Sequence, residues 1–445
     1  MENITIGFVS IARSTFDMTL AVQNSESVYQ KLITAGFRLA GTAKPIATLD
    51  EAVEAAPLVQ SASVDLLIIL QATFADSLMA VKLAELVDAP MLLWAIPEAR
   101  TGGRLRSNSL CGINLAGHAL TRAGHRYDYV YADPEDKIAF EKVQALAQAA
   151  HALKRLRQTR IGVIGDHPAG FDTCRFDAPA LKNQLGIEVQ KFELAQVFGE
   201  IKQTSSEAIN PIAERLQQTV EGIAEVDQVA LRGSIATYAT LRQLTQQERL
   251  TGLAVRCWPE FFTELGCAAC GAMSMLSDEM TPCSCEADVN GTITQVMLQY
   301  ISGQPAFGSD LVAVDKDANE LVIWHCGLAP LTMADPSVRP RATIHSNRRM
   351  PLLMEFPLKP GVVTLARLSE ATGGYRLVIG KAEMLPAPMS FSGTSGVLRF
   401  ERPAHEILDT VMAEGLEHHV SLTYGDHVAA LLALANMLDL PVLRL

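Results

Sequence analysis

The residues most able to do chemistry in this chain are three carboxylates and a set of histidines. Arg256-Cys257-Trp258-Pro259-Glu260 is followed by Cys283-Ser284-Cys285-Glu286-Ala287-Asp288-Val289-Asn290-Gly291. Glu286 and Asp288 are two apart, so in extended backbone their carboxylates share one face and address one cation. Two such groups aimed at one point repel unless a cation or a shared proton lies between them. The plain alternative is a pair of solvated turn acids, the usual fate of an isolated E-x-D. Apolar surroundings and nearby Glu260 favour function, because Glu260 falls where a strand should end and open α/β sheets bind ligands beyond the carboxyl ends of their strands.

His325, in Ile323-Trp324-His325-Cys326-Gly327, closes another strand pattern, and His418-His419 precedes the apolar stretch that follows His427. A satisfied core histidine and a surface pair are the bland readings, but neutral imidazole is also the commonest metal ligand. Carboxylates with imidazoles form a hard-to-intermediate donor set. It suits Mn²⁺, with Mg²⁺ or Co²⁺ as substitutes, better than a thiolate-seeking metal. Cysteine offers a rival: Cys267-x-x-Cys270 with Cys283-x-Cys285 is loosely like a four-thiolate zinc site, although the one-residue spacing fits a zinc knuckle poorly. Eight cysteines in 445 residues are too sparse for a disulfide scaffold, and in a reducing compartment they are expected as thiols.

A third constellation is Gly102-Gly103-Arg104-Leu105-Arg106-Ser107-Asn108. The glycines let backbone approach a ligand, and guanidinium forks match phosphate, sulfonate or carboxylate. Arg104, Arg106 and Asn108 are therefore expected to hold the far end of a substrate, against the alternative of a surface loop with two salt bridges. No GxGxxG, Walker A or G-x-S-x-G pattern occurs, so dinucleotide, P-loop and serine-hydrolase readings lack their marks.

These residues need elements to hold them. Apolar runs Ile4–Ser10, Val64–Leu70, Pro90–Trp94 and Tyr127–Tyr131 alternate with helical stretches, which predicts a mostly parallel sheet. A long helix is expected from Asp133-Pro134 to Arg157. A second β-α series starts at Arg160–Gly165, with further strands expected at Val189–Leu194, Gln228–Arg232 and Gly252–Trp258 and a helix near Pro211–Ile223. Beyond Leu321 short β-rich runs, such as Gly361–Leu368 and Tyr375–Leu385, read as a barrel or sandwich. The fold class is thus α/β, two doubly wound α/β domains (1–157 and 158–320) followed by a C-terminal β-barrel-like domain (321–445) with a terminal helix.

Charge and hydropathy exclude several classes. With 37 Lys plus Arg against 49 Asp plus Glu, the formal charge of −12 has the wrong sign for a nucleic-acid partner. Half the chain is hydrophobic (49%), which excludes disorder. The longest apolar runs fall short of the roughly 18 residues of a spanning helix, so no membrane partner is expected. Met1 to Ile4 carries no basic stretch before the strand pattern, which argues against a signal peptide and for the cytoplasm.

Taken together, Trp258-Pro259-Glu260, the Cys285–Asp288 segment, His325-Cys326-Gly327 and the tail from His419 to Gly425 resemble the L-fucose isomerase and L-arabinose isomerase superfamily. The resemblance implies an Mn²⁺-dependent aldose–ketose isomerase, an intramolecular oxidoreductase of carbohydrate metabolism working through an ene-diolate. It implies that Glu260 and Asp288 move the proton as base and acid. Glu260 matches the family's first metal acid, and His419 matches the metal-binding histidine of the fucose-type tail. The second acid is Asp288 on the fucose-type pattern and Glu286 on the arabinose-type pattern, and His325 is similar to a metal-binding histidine of the arabinose side. A homo-oligomer is also implied, a hexamer with active sites near subunit interfaces. The chain is shorter than typical fucose isomerases and its Gly-Gly-Arg-Leu-Arg run has no match in either enzyme, which leaves the sugar open and allows a phosphorylated or sulfonated one. The alternatives are a non-catalytic sugar-binding or regulatory protein, and a metal-dependent epimerase or lyase sharing the intermediate.

Overall fold

A computed structural model describes residues 4–445; Met1 to Asn3, which lead into the expected first strand, lie outside the described residues. The chain divides into two units, Met1–Lys154 and Arg155–Leu445.

The first unit is a parallel sheet of β1 (Thr5–Ile11), β2 (Arg38–Ile46), β3 (Leu66–Gln71), β4 (Met91–Ala95) and β5 (Asp128–Tyr131), in the order β2-β1-β3-β4-β5. β3 and β4 are buried at every residue, as expected for central parallel strands that read as unbroken apolar runs. Between the strands run helices with clear start signals: Asp17 caps Met18–Thr34, and Thr48 with Glu51 forms a capping box on Leu49–Ser61. The long helix runs Lys137–Leu156 and starts later than expected. Asp136, not Asp133, accepts the first-turn N–H, from Ala139, while Asp133 closes a turn onto Glu135.

The second unit holds a parallel sheet and a barrel on one continuous apolar core. The sheet contains β6 (Arg160–Ile164), β7 (Glu188–Phe192), β8 (Gly252–Val255) and β9 (Cys283–Ser284), ordered β7-β6-β8-β9. The expected strand Gln228–Arg232 is instead the start of the helix Gln228–Glu248. Asp227 caps it through Ala230 N–H, and buried Leu231, Ile235, Tyr238 and Leu241 fall at helical spacing, a period that a five-residue window hides.

The remaining strands are β10 (Phe307–Asp315), β11 (Glu320–His325), β12 (Arg341–Thr343), β13 (Leu353–Pro357), β14 (Gly361–Ser369), β15 (Arg376–Leu385), β16 (Thr394–Phe400), β17 (His419–Tyr424) and β18 (Val442–Arg444). Six of them close an antiparallel barrel, β11-β10-β17-β14-β15-β16, because β16 pairs with both β15 and β11. The helix Val289–Ser302 is buried along nearly its whole length and packs on β8 of the sheet and on β14 and β17 of the barrel. Its N-terminus, at Asp288, is therefore held between the two. No helix among the described residues is long and apolar enough to cross a membrane.

Candidate active site

Asp288 is the N-cap of the helix Val289–Ser302 and is fully buried. Its Oδ1 accepts the Gly291 N–H at 2.8 Å. Its Oδ2 accepts from Arg367 Nη1 at 2.5 Å and lies 2.9 Å from His419 Nδ1. Arg367, on β14, is itself buried and also donates to the Thr173 carbonyl at 3.2 Å, with the Glu417 carboxylate 3.7 Å from its Nε. Gly291 permits this approach, since a Cβ there would stand 2.5 Å from Asp288 Oδ2 and 3.0 Å from Arg367 Nη1. Burial works to raise the Asp288 carboxyl, but the Arg367 charge and the His419 hydrogen bond hold it far below the usual carboxylate range.

An ionised carboxylate only accepts, so the proton of His419 sits on Nδ1 and the lone pair of Nε2 faces the other way. There Nε2 meets Asp310 Oδ1 at 3.4 Å and Glu286 Oε2 at 3.9 Å. Asp310 stands directly opposite His419 in the antiparallel β10–β17 pairing. Its Oδ1 is buried and has no hydrogen-bond partner.

Glu286 lies in the tight turn Cys285–Ala287 beyond β9, with a left-handed φ of 59°, so the expected extended backbone around Glu286 and Asp288 is not what forms. The two acids instead bracket His419 from opposite ring nitrogens. Glu286 Oε1 accepts the Trp258 indole N–H at 3.2 Å, and Oε2 is 3.1 Å from His418 Nε2. Burial alone would raise its carboxyl; the His418 hydrogen bond, the neighbouring His419 ring and the Trp258 N–H together lower it. His418 is raised: burial opposes its charge, but the bond to Glu286 and the charges of Asp310 and Asp288 prevail.

The described residues thus form two overlapping groups of potential metal donors, Cys174-Glu286-His418-His419 and Asp310-His325-His419. Burial and the neighbouring carboxylates push the Cys174 thiol upward, and every other donor of the two groups is a carboxylate oxygen or an imidazole nitrogen. His325, at the end of β11, has its ring 5.7 Å from that of His419, and its Nδ1 accepts the Cys326 N–H at 2.8 Å. A cavity of about 10 Å³, space for one water-sized occupant, is walled by Ser284, Asp288, Gly308, His325, His419 and Ser421 among others. The orphaned Asp310 oxygen and the oxygen–nitrogen donor set fit a divalent cation of the Mn²⁺ class.

Not every expected residue joins this cluster. Both oxygens of Glu260 are taken by Arg256, at 2.8 and 2.7 Å, and that guanidinium keeps its carboxyl below the ordinary range. Neither Glu260 nor Asp288 belongs to either donor group. Arg104, Arg106 and Asn108 lie in the first unit, where Glu98 accepts the backbone N–H of Arg106, of Ser107 at 2.9 Å and of Asn108 at 3.1 Å. Arg106 Nε pairs with Asp17 at 2.9 Å and Arg104 Nη2 donates to the Thr15 carbonyl at 3.2 Å.

The four-cysteine zinc reading fails among the described residues: Cys285 is disulfide-bonded to Cys257, so not all cysteines are thiols, and Cys270 faces Cys326 with their sulfurs 3.4 Å apart. Asp310 and Arg367 escaped the sequence reading. β10 shows a weak strand pattern because Asp310 interrupts it, and Arg367 reads as an ordinary polar residue in a β-rich run.

The family model for the N-terminal domain of fucose/sulfoquinovose isomerases matches residues 7–157, and that for the C-terminal domain of L-fucose isomerase matches residues 324–445. A sulfoquinovose isomerase from Priestia aryabhattai is 32% identical over 443 residues, 99% of each chain. Others from Alkalicoccus urumqiensis and a Clostridium species are 31% and 28% identical, again over 99% of each chain. The chain therefore belongs to the fucose/sulfoquinovose isomerase family and is an aldose–ketose isomerase.

Proposed function

We propose that the substrate is a sulfonated aldohexose of the sulfoquinovose class, converted to its 2-ketose through an ene-diolate with Mn²⁺ as the cofactor, Mg²⁺ or Co²⁺ substituting. The observation that carries the metal part is the orphaned Asp310 Oδ1 facing His419 Nε2 beside Glu286. Glu286, Asp310, His418 and His419 would hold the ion. When bound, it would supply Lewis-acid polarisation of the carbonyl and stabilise negative charge on the sugar oxygens.

The remaining steps belong to side chains. Glu260, ionised beside Arg256, takes the proton from C2 of the open-chain aldose, and the same proton is returned to C1, while the hydroxyl proton passes from O2 to O1. Asp288 is fully buried, whereas the Glu260 side chain keeps 23% of its surface exposed, so in this proposal Asp288 serves proton transfer indirectly, by keeping His419 Nδ1 protonated and Nε2 turned to the ion. His325, whose Nδ1 already accepts a backbone N–H, stands beside His419 in the second donor group. Arg104, Arg106 and Asn108 stand as substrate-binding residues of the first unit, supplied by a neighbouring subunit of a cytoplasmic homo-oligomer, a hexamer by resemblance.

The test is NMR of sulfoquinovose incubated with the protein and Mn²⁺ in D₂O. Metal-dependent deuterium incorporation at the carbons beside the carbonyl is expected. Absence of exchange with Mn²⁺ shown to be bound would overturn the proposal.

A further inference from the structure

Arg348 lies on the turn between β12 and β13. Its guanidinium carbon is 4.8 Å from the centre of the Trp258 ring and 5.1 Å from that of Phe262. Two other arginines of this unit are neutralised, Arg256 by Glu260 and Arg367 by Asp288. Among the described residues, no carboxylate stands within ion-pair distance of Arg348. The turn that carries it is nonetheless fixed. His345 Nδ1 accepts the backbone N–H of Asn347 at 3.3 Å and of Arg348 at 3.4 Å, Arg349 N–H donates to the His345 carbonyl at 2.8 Å, and the His345 ring packs edge-on against Phe262 at 5.3 Å.

A guanidinium held over aromatic rings is attracted by their faces and still carries five N–H donors for a ligand. Paired donors of this kind match two oxygens of a sulfonate or phosphate at once. Trp258 reaches the cluster at its other end, where its indole N–H meets Glu286 Oε1 at 3.2 Å. With ordinary ring dimensions, the Glu286 carboxylate and the guanidinium are no more than about 10 Å apart, the length scale of a six-carbon sugar ending in an oxyanion.

We propose that Arg348, held over Trp258, binds the terminal oxyanion of the substrate and sets the preference for a charged sugar. The proposal rests on the isomerase reading above and deepens it. Arg104 and Arg106, by contrast, already have partners in the Thr15 and Asp17 segment of the first unit.

The experiment compares Mn²⁺-loaded wild type, Arg348→Met and Arg348→Lys on three aldohexoses that differ only at C6: sulfoquinovose, glucose 6-phosphate and glucose. Melting temperature is measured alongside. Arg348→Met should raise KM for sulfoquinovose by about 30- to 100-fold with little change in kcat, leave the KM or inhibition constant of glucose unchanged, and be partly rescued by Arg348→Lys. Equal effects on glucose 6-phosphate support a general oxyanion subsite; a loss confined to the sulfonate supports a selective one. If wild type isomerises none of the three, the sulfonated-aldohexose reading itself fails. If wild type isomerises sulfoquinovose but Arg348→Met keeps its KM, or loses glucose and sulfoquinovose alike, Arg348 is not the anion site. Should Arg348→Met melt early, Arg348→Gln replaces it with the same expectations.

Discussion

Asp288 Oδ2 lies 2.9 Å from Nδ1 of His419, a residue 131 positions further along the chain. This contact decides which ring nitrogen is left for Glu286 and Asp310. It also explains why a buried arginine is present, since Arg367 neutralises the carboxylate that orients the ring. Removing either partner has consequences that separate orientation from stability.

Asp288→Asn keeps the shape of the cap, but its amide can donate to Nδ1 and so accept the opposite tautomer of His419. Mn²⁺ affinity, read by electron paramagnetic resonance of the free ion, should fall about 10- to 100-fold. Arg367→Met should cost about 3–5 kcal/mol in urea unfolding, because it strands Asp288 and Glu417 as buried charges. A variant pair with unchanged Mn²⁺ affinity and stability would remove the orienting role of the network.

Glu286→Gln and His419→Gln should lose the thermal stabilisation that Mn²⁺ gives the wild type. A ligand at one hundred times its dissociation constant stabilises by about 2.7 kcal/mol, which scanning calorimetry with and without the ion resolves. A variant whose melting temperature still rises as far as that of the wild type would place the ion elsewhere.

Glu260→Gln should abolish deuterium exchange while the fold and the Mn²⁺-induced stabilisation persist, because Glu260 lies outside both donor groups. Full activity of the amide would remove Glu260 as the base. Loss of Mn²⁺ binding in the same variant would instead return it to the ligand set.

Glu98 gives a pH signature in the first unit. Despite burial, the backbone N–H groups of Arg106, Ser107 and Asn108 pull its carboxyl from 4.5 down to about 2. A folded pKa below the unfolded one contributes stability above the unfolded value, and that stability is lost as pH falls from about 4.5 through about 2. Because the group is partly solvated, about 1 kcal/mol is the expected share at pH 7. Glu98→Gln should therefore be less stable than wild type at pH 7, with the gap closing near pH 2 to 3 in chemical denaturation.

Much of the architecture is legible in local pattern. The buried runs of β3 and β4, the β-rich runs of β14 and β15, and the helix after His427 all appear where the sequence pattern puts them. Where a window was short, as at Gln228–Arg232, strand and helix could not be separated, and the capping of Asp227 decided for helix. The segment holding Glu286 and Asp288 was legible as chemistry but not as geometry. The left-handed turn at Glu286 sends its carboxylate to His418 while Asp288 turns inward as a helix cap.

The sequence by itself determined the residue types of the site: acids beside Trp258 and Cys285, a histidine pair ahead of the apolar C-terminal helix, and an oxygen–nitrogen set suited to a divalent cation. Only the tertiary structure decided which of them meet. Asp310 faces His419 through the register of β10 on β17, and Arg367 claims Asp288 from β14, two relationships set by long-range strand pairing. Pairing register depends on how whole strands stack on a common core, so no spacing within one segment encodes which acid a distant imidazole will find.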